Sequence, residues 1–79
     1  MEEETQRELT FGEKAVGLTF NPSGSTLVDI IKRNYAGIID HLNIEREGAT
    51  PDKARLCSVA ITEAQTAQMW AVKAVTCQF

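Results

Sequence analysis

The sequence has few of the residues that stabilise small proteins or carry chemistry. Its 79 residues include two cysteines, two prolines and one histidine, and no apolar run reaches the ~20 residues that span a bilayer. Cys57 and Cys77 lie about 30 Å apart on one predicted helix, too far for a disulfide within one chain. His41 has no cysteine or carboxylate at motif spacing, and no H-E-x-x-H, CxxC, P-loop or G-x-S-x-G pattern occurs. The sequence therefore predicts no catalytic residues, no metal site and no cofactor.

Positive charge is also scarce. Eight Lys and Arg face eleven Asp and Glu, for a net charge of −3, and the basic residues are scattered. Duplex DNA and acidic membrane surfaces are therefore not expected ligands, although one or two basic residues could hold a small anion. The N-terminus MEEETQREL is acidic, unlike a signal peptide, so we predict a cytoplasmic protein.

Residues 50–77 form the most informative stretch, which we predict to be one long helix. Thr50 is its expected N-cap, with Pro51 in the first helical position. The segment AQMWAVKAVT is apolar nearly all the way round, with only Gln68 and Lys73 strongly polar. A helix that is apolar on every side must be buried on every side, and 79 residues cannot do this alone. The pattern therefore predicts a homo-oligomer.

A second helix is predicted over residues 25–43. Ser25 and Thr26 compete for its N-cap, and apolar side chains recur at alternating steps of three and four residues. These are Val28, Ile31, Tyr35, Ile38 and Leu42. Lys32 lies on the margin of this seam. The polar segment 43–48 has the length that usually joins antiparallel helices, so we predict an all-α, single-domain helical hairpin over residues 1–79.

Residues 1–24 are predicted to be an N-terminal arm and turn. Gly12 and Gly17 argue against a stable helix over residues 11–20, so we expect an extended arm with a few apolar anchors. The anchors are Phe11, Val16, Leu18 and Phe20. Asn21, Pro22, Ser23 and Gly24 then have the composition of a turn.

Four residues admit both a structural and a ligand-binding interpretation. Lys73 is either a surface lysine with its stem on apolar neighbours or a cation that meets an anionic ligand where subunits assemble. Trp70 is either a core or interface anchor or a platform that stacks a base beside that cation. Lys32 is either an exposed lysine or a ligand contact, and Phe20 is either an apolar anchor or a stacking surface.

Three segments resemble a known family. They are LTFNPSG (18–24), VDIIKRNYA (28–36) and KARLCSVAITEAQTAQMWAVKAV (53–75). They are similar to the phage anti-CBASS cyclic-nucleotide sponges, whose helical-hairpin domain is shared with the Thoeris-countering sponges. The small residues that end in Met69-Trp70-Ala71, and the aromatic-x-Pro turn at Phe20, carry this similarity.

The resemblance implies a compact homohexamer without enzymatic activity that binds cyclic oligonucleotides made by bacterial defence cyclases. Cyclic dinucleotides would bind between paired protomers, with Phe20 stacking on a base and Lys32 contacting phosphate. Asn21 and Pro22, in the same turn, belong to this predicted site. Relatives often have tyrosine where Phe20 stands, and the turn is shorter here, so the match of Lys32 depends on where the gap is placed.

The resemblance also implies separate sites for cyclic trinucleotides, with Trp70, Lys73 and Thr76 as the matching residues. The predicted function is therefore sequestration of cyclic messengers in the cytoplasm of an infected bacterium. Two alternatives remain. One is a structural oligomerisation module without a small ligand, and the other is a phosphodiesterase that linearises such messengers.

Overall fold

The computed structural model describes residues 7–79 as three helices without a β-strand: Phe11–Ala15 (α1), Thr26–Arg46 (α2) and Pro51–Thr76 (α3). The part of the predicted arm in residues 1–6 lies outside the described residues. Helices α2 and α3 pack against each other as a hairpin, and α1 packs on α2. The all-α hairpin predicted from the sequence is therefore confirmed.

Helix α1 corrects the prediction of an extended arm. Thr10 caps it: the Thr10 hydroxyl accepts a hydrogen bond from the backbone N–H of Glu13, and the Glu13 carboxylate accepts one from the N–H of Thr10. This reciprocal pair satisfies two of the unpaired donors at a helix start. A helical turn therefore forms despite the two glycines.

Each glycine has a specific position in this segment. Gly12 is buried where α1 crosses α2, and a Cβ there would lie within van der Waals radii of the Ala36 carbonyl. Its N–H donates to the Asp40 carboxylate at 2.6 Å. Gly17 has a φ of 63°, the left-handed conformation that commonly ends a helix. One glycine therefore permits close packing, and the other ends α1.

Helix α2 begins as predicted but ends later. Ser25 is the N-cap, since its hydroxyl accepts a hydrogen bond from the N–H of Val28. The helix continues to Arg46 rather than to residue 43. The Arg46 guanidinium donates to Asn43 Oδ1 and to Ser58 Oγ, both at 2.9 Å, which ties this last turn to α3. Tertiary contacts thus extend the helix beyond its apolar pattern.

Helix α3 has the predicted start. Thr50 is the N-cap, its hydroxyl accepts a hydrogen bond from the N–H of Lys53, and Pro51 is the first helical residue. The helix ends at Thr76, with Cys77 as its C-cap. Among the described residues no helix has the length and apolarity needed to cross a membrane. Both cysteines are free thiols, with Cys57 buried and Cys77 exposed.

The core lies where the three helices meet. It is formed by Val16, Leu18, Ala36, Ile39 and Ile61. The predicted anchors Val16 and Leu18 are buried, whereas Phe11 and Phe20 are exposed. The predicted seam of α2 is rotated: Ile38 is half-exposed and Lys32 is buried. The α2 side facing the core is therefore the one that carries Val28, Lys32, Ala36 and Ile39.

Much apolar surface stays uncovered in one chain. Large exposed apolar side chains lie in α1, in the turn after it, along both long helices and at the end of the sequence. They are Phe11, Phe20, Leu27, Ile30, Ile38, Ile44, Leu56, Val59, Met69, Trp70, Val75 and Phe79. An apolar surface of this extent is typical of a protein that associates with a partner.

Candidate functional site

Two consecutive turns hold Phe20 at the surface. The N–H of Phe20 donates to the carbonyl of Gly17 at 2.9 Å, which closes the first turn. In the second turn, the N–H of Gly24 donates to the carbonyl of Asn21 at 3.0 Å. The Asn21 amide also donates to the carbonyl of Ser25, the cap of α2. The backbone around Phe20 is thus fixed from both sides, while 70% of the Phe20 residue surface is exposed.

Lys32 is buried beneath this segment, with only 5% of its surface exposed. Its ammonium donates to the carbonyl of Gly17 at 2.9 Å and to the carbonyl of Phe20. The ammonium also lies 5.5 Å from the centroid of the Phe20 ring, within the range of a cation–π contact. The interpretation of Lys32 as an exposed lysine at the seam margin is therefore wrong, because the turn after α1 covers it.

A hollow of about 530 Å³ opens beside Phe20 and Lys32, within the size range of small-molecule sites. It is lined by the end of α1, the turn that follows, and one face of α3. Its lining residues are Lys14, Ala15, Val16, Gly17, Phe20, Lys32, Gln65, Gln68, Met69 and Val72. We call it the α1–α3 hollow.

A second hollow, of about 270 Å³, adjoins the first and shares Phe20, Lys32 and Val72 with it. Its other lining residues include Asn21, Pro22 and Thr76. We call it the turn hollow. The four residues of the predicted cyclic dinucleotide site thus lie together around these two hollows.

The three residues of the predicted trinucleotide site are only partly brought together. The Lys73 ammonium lies 5.4 Å from the Trp70 ring, and Met69, Trp70 and Lys73 line a shallow hollow of about 290 Å³. Thr76 lines a different hollow with Lys73 near the C-terminus, and it also lines the turn hollow. Its hydroxyl donates to the carbonyls of Val72 and Lys73. Within one chain, Thr76 therefore lies between the two predicted sites.

The charges around these hollows favour an anion. Lys14 has an acidic neighbour, Glu8, at 3.8 Å. For Lys32 and Lys73, residues 7–79 provide no carboxylate within ion-pair distance. A cation without an acidic neighbour retains its attraction for a negatively charged ligand. Phosphate is therefore a chemically suitable ligand for this surface.

Sequence reasoning missed three residues of the α1–α3 hollow: Lys14, Gln65 and Gln68. The position of Lys14 beside the hollow could not be predicted, because the sequence predicts an extended arm where α1 forms. The sequence does indicate that Gln68 lies on the core side of α3, since it follows Cys57, Ile61 and Ala64 at helical spacing. A polar residue at a core position indicates either a polar partner or an adjoining solvent-filled space, and for Gln68 that space is the α1–α3 hollow.

Histidine, cysteine and acidic side chains are dispersed in the described part of the chain. No group of three or more His, Cys, Asp or Glu residues there could hold a metal ion. His41 lies on the exposed side of α2. The polar side chains that line the α1–α3 hollow and the turn hollow carry amide, hydroxyl and ammonium groups, which can bind a ligand by hydrogen bonds and charge.

Comparison with known protein families gives a match over most of the chain. The model of the family described as the Acb2/Tad1 hairpin domain matches residues 13–76. This span includes α2, α3 and every predicted site residue, and the match confirms the family inferred from the sequence. No curated protein and no solved structure was found to match the chain.

Proposed function

Because this chain belongs to the Acb2/Tad1 hairpin-domain family, we propose that it sequesters cyclic oligonucleotide messengers. The sponge-type role follows from the family, and the ligands and contacts are our proposal. Cyclic dinucleotides such as 3′,3′-cyclic GMP–AMP and cyclic trinucleotides are the ligands. Their capture, in the cytoplasm of an infected bacterium, blocks the signal on which an anti-phage defence depends.

The pairing of an exposed aromatic ring with a lysine carries the proposal. Phe20 presents its ring to solvent directly beside Lys32, at the border of the two hollows. An exposed aromatic ring on a turn fixed by hydrogen bonds offers an apolar face that a base can cover. Stacking of a base on such a ring is worth about 1–3 kcal/mol. A cation beside the ring supplies the contact that a phosphate needs.

Lys32 can perform two tasks at once. An ammonium group has three donors, and Lys32 uses two of them on the carbonyls of Gly17 and Phe20. The third donor and the positive charge remain for a phosphate oxygen in an adjoining hollow. Lys32 thus fixes the turn that carries the stacking ring and contributes charge to the ligand. In this proposal the two contacts to a nucleotide are geometrically coupled.

Assembly completes the site. A cyclic dinucleotide has two bases and two phosphates, so two protomers related by a twofold axis would offer it Phe20 and Lys32 from each side. The exposed apolar residues of α2 and α3 support such pairing, among them Leu27, Ile30 and Leu56. The resemblance to the sponge family suggests a homohexamer as the final state. The binding site would then lie at a seam between subunits.

The C-terminal part of α3 is the proposed trinucleotide site. Trp70 is 65% exposed, with the Lys73 ammonium over its ring. Thr76 is one turn further along the helix, and its hydroxyl oxygen can still accept a hydrogen bond. One chain supplies only a shallow surface here, so several copies must converge to enclose a ring of three phosphates.

Replacement of Phe20 by Leu tests the proposed stacking. Leucine keeps an apolar side chain and removes the aromatic face, so the affinity for 3′,3′-cyclic GMP–AMP should fall by roughly 5- to 150-fold, the equivalent of about 1–3 kcal/mol. Isothermal titration calorimetry measures the affinity. Phe11→Leu is the matched control, because Phe11 is also exposed but lines neither hollow. Equal affinities in wild type and both variants would move the site elsewhere.

The two alternative functions give different results with the wild-type protein. A purely structural module releases no heat with any cyclic di- or trinucleotide. A phosphodiesterase returns linear product when the ligand is incubated, released by heating and separated by liquid chromatography. The proposed sponge binds the ligand and returns it intact. Native mass spectrometry of the same samples counts the subunits and the ligands per assembly.

A further inference from the structure

In the described part of the chain, Gln68 is one of two buried polar or charged residues, and Lys32 is the other. Gln68 lies on the core side of α3 and is only 5% exposed. Among residues 7–79 the Gln68 amide has no hydrogen-bond partner. In the same range, every side-chain nitrogen or oxygen that is fully enclosed does have a partner. The amide must therefore open to solvent-accessible space. That space is the α1–α3 hollow, which Gln68 lines together with Phe20 and Lys32.

The neighbouring amide in the same hollow differs in this respect. The Gln65 amide nitrogen donates to the carbonyl of Ala15 at 3.3 Å, which joins α3 to the end of α1. Gln65 thus has a structural partner, whereas residues 7–79 provide none for Gln68. An amide that opens to the hollow without a protein partner keeps its donors and its acceptor available to a ligand. Gln68 is therefore placed to bind whatever enters the hollow beside the Phe20 ring.

The chemistry of the amide selects among bases. A glutamine amide offers one acceptor and one donor side by side. Adenine presents the complement on one edge, an N6 amino donor beside the N7 acceptor, whereas the same edge of guanine presents two acceptors. A glutamine can therefore pair with adenine through two hydrogen bonds and with that edge of guanine through one. Phe20 and Gln68 line the same hollow, so a base stacked on the Phe20 ring lies in the space into which the amide opens.

We propose that Gln68 reads the base of the bound messenger and makes the protein prefer adenine-containing cyclic dinucleotides over those with guanine alone. This inference rests on the proposed function and adds to it the base preference and the residue that sets it. Phe20 stacks on any base, and Lys32 attracts any phosphate. Gln68 is the group in the hollow whose hydrogen bonds distinguish one purine from the other.

The test compares cyclic di-AMP and cyclic di-GMP on the full-length protein and two variants, with affinities from calorimetry. Wild type should bind cyclic di-AMP at least about tenfold more tightly, because a bidentate contact to a base discriminates by roughly that factor or more. Gln68→Met, of similar shape, should lose this preference. Gln68→Glu should lose it as well, since a carboxylate has no donor for adenine N7 and repels the acceptors on this edge of either purine.

Two controls make the result decisive. Gln78→Met changes a glutamine outside the α1–α3 hollow and should leave the ratio of the two affinities unchanged. For wild type, the side-chain amide signals of Gln68 in a ¹⁵N correlation spectrum should shift on addition of cyclic di-AMP. They should shift less with cyclic di-GMP, and this measurement does not depend on how a variant folds.

The outcomes separate the two proposals. If wild type binds both ligands, and neither Gln68 variant changes the ratio of affinities, the base-reading role is wrong and sequestration stands. A wild-type Gln68 amide signal that ignores cyclic di-AMP at saturation also overturns the role. If wild type binds no cyclic oligonucleotide, the proposed function fails, and the role of Gln68 fails with it. A wild-type preference for cyclic di-AMP that both Gln68 variants lose supports both proposals.

Discussion

Replacement of Lys32 by Met would test whether this lysine holds the turn that carries Phe20. Methionine keeps a long apolar side chain in the same space and removes all three donors. The carbonyls of Gly17 and Phe20 would then lose the hydrogen bonds that they accept from the Lys32 ammonium. Since Lys32 is only 5% exposed, little water can take its place. The turn that carries the Phe20 ring should loosen as a result.

The magnitude follows from the two contacts. A hydrogen bond to a charged group contributes about 1.5–3 kcal/mol, so two contribute roughly 3–6 kcal/mol at most. The variant also avoids the cost of burying an ammonium, which offsets part of this loss. We therefore expect the free energy of unfolding to fall by about 2–3 kcal/mol. Affinity for a cyclic dinucleotide should fall as well, because both the phosphate contact and the position of Phe20 are affected.

Urea denaturation followed by circular dichroism measures the change, at one fixed protein concentration because an oligomer's stability depends on it. Hydrogen exchange at the N–H of Phe20, which donates to Gly17, should accelerate. Lys14→Met is the matched control: Lys14 also lines the α1–α3 hollow, but its side chain is 60% exposed. The control should change stability by less than about 0.5 kcal/mol. If Lys32→Met is as stable as the control, the ammonium does not hold the turn.

Three further perturbations test other parts of the structure. Gly12→Ala should destabilise the fold by about 2–3 kcal/mol, since its Cβ would lie 2.1 Å from the Ala36 carbonyl oxygen. Gly37→Ala is the control: a Cβ there would have no neighbouring atom within 4 Å, so the substitution should be neutral or stabilising in the same urea denaturation. The hydrogen bonds of Arg7 and of the Thr10 N–H hold the pKa of Glu13 below its usual value. The stability that the Glu13 carboxylate adds to α1 is therefore fully present above the usual pKa, and it is lost as the pH falls through the lowered pKa. A pH titration of helicity should accordingly be flatter in Glu13→Gln, and identical titrations would contradict this assignment. Lys73→Glu should weaken cyclic trinucleotide binding but not cyclic dinucleotide binding, and equal calorimetric losses for both ligands would argue against separate sites.

Local chemistry made the hairpin readable from the sequence. Thr50 and Pro51 fix the start of α3 because a cap and a first-turn proline act through neighbouring residues alone. Ser25 does the same for α2. The sequence alone also indicates that α3 has more apolar faces than one partner helix can cover. Family membership could also be read from short segments around Phe20 and in α3.

The tertiary structure alone decided three features. Helix α1 forms because Thr10 and Glu13 cap it and because Gly12 lets it approach α2. A single sequence does not tell whether a glycine permits a close contact or breaks a helix. The burial of Lys32 follows from where the turn after α1 closes. The placement of Gln68 beside Phe20 joins residues 48 positions apart. A sequence pattern reports which side of a helix is apolar, whereas only packing decides which polar side chain ends beneath a turn and which faces an open hollow.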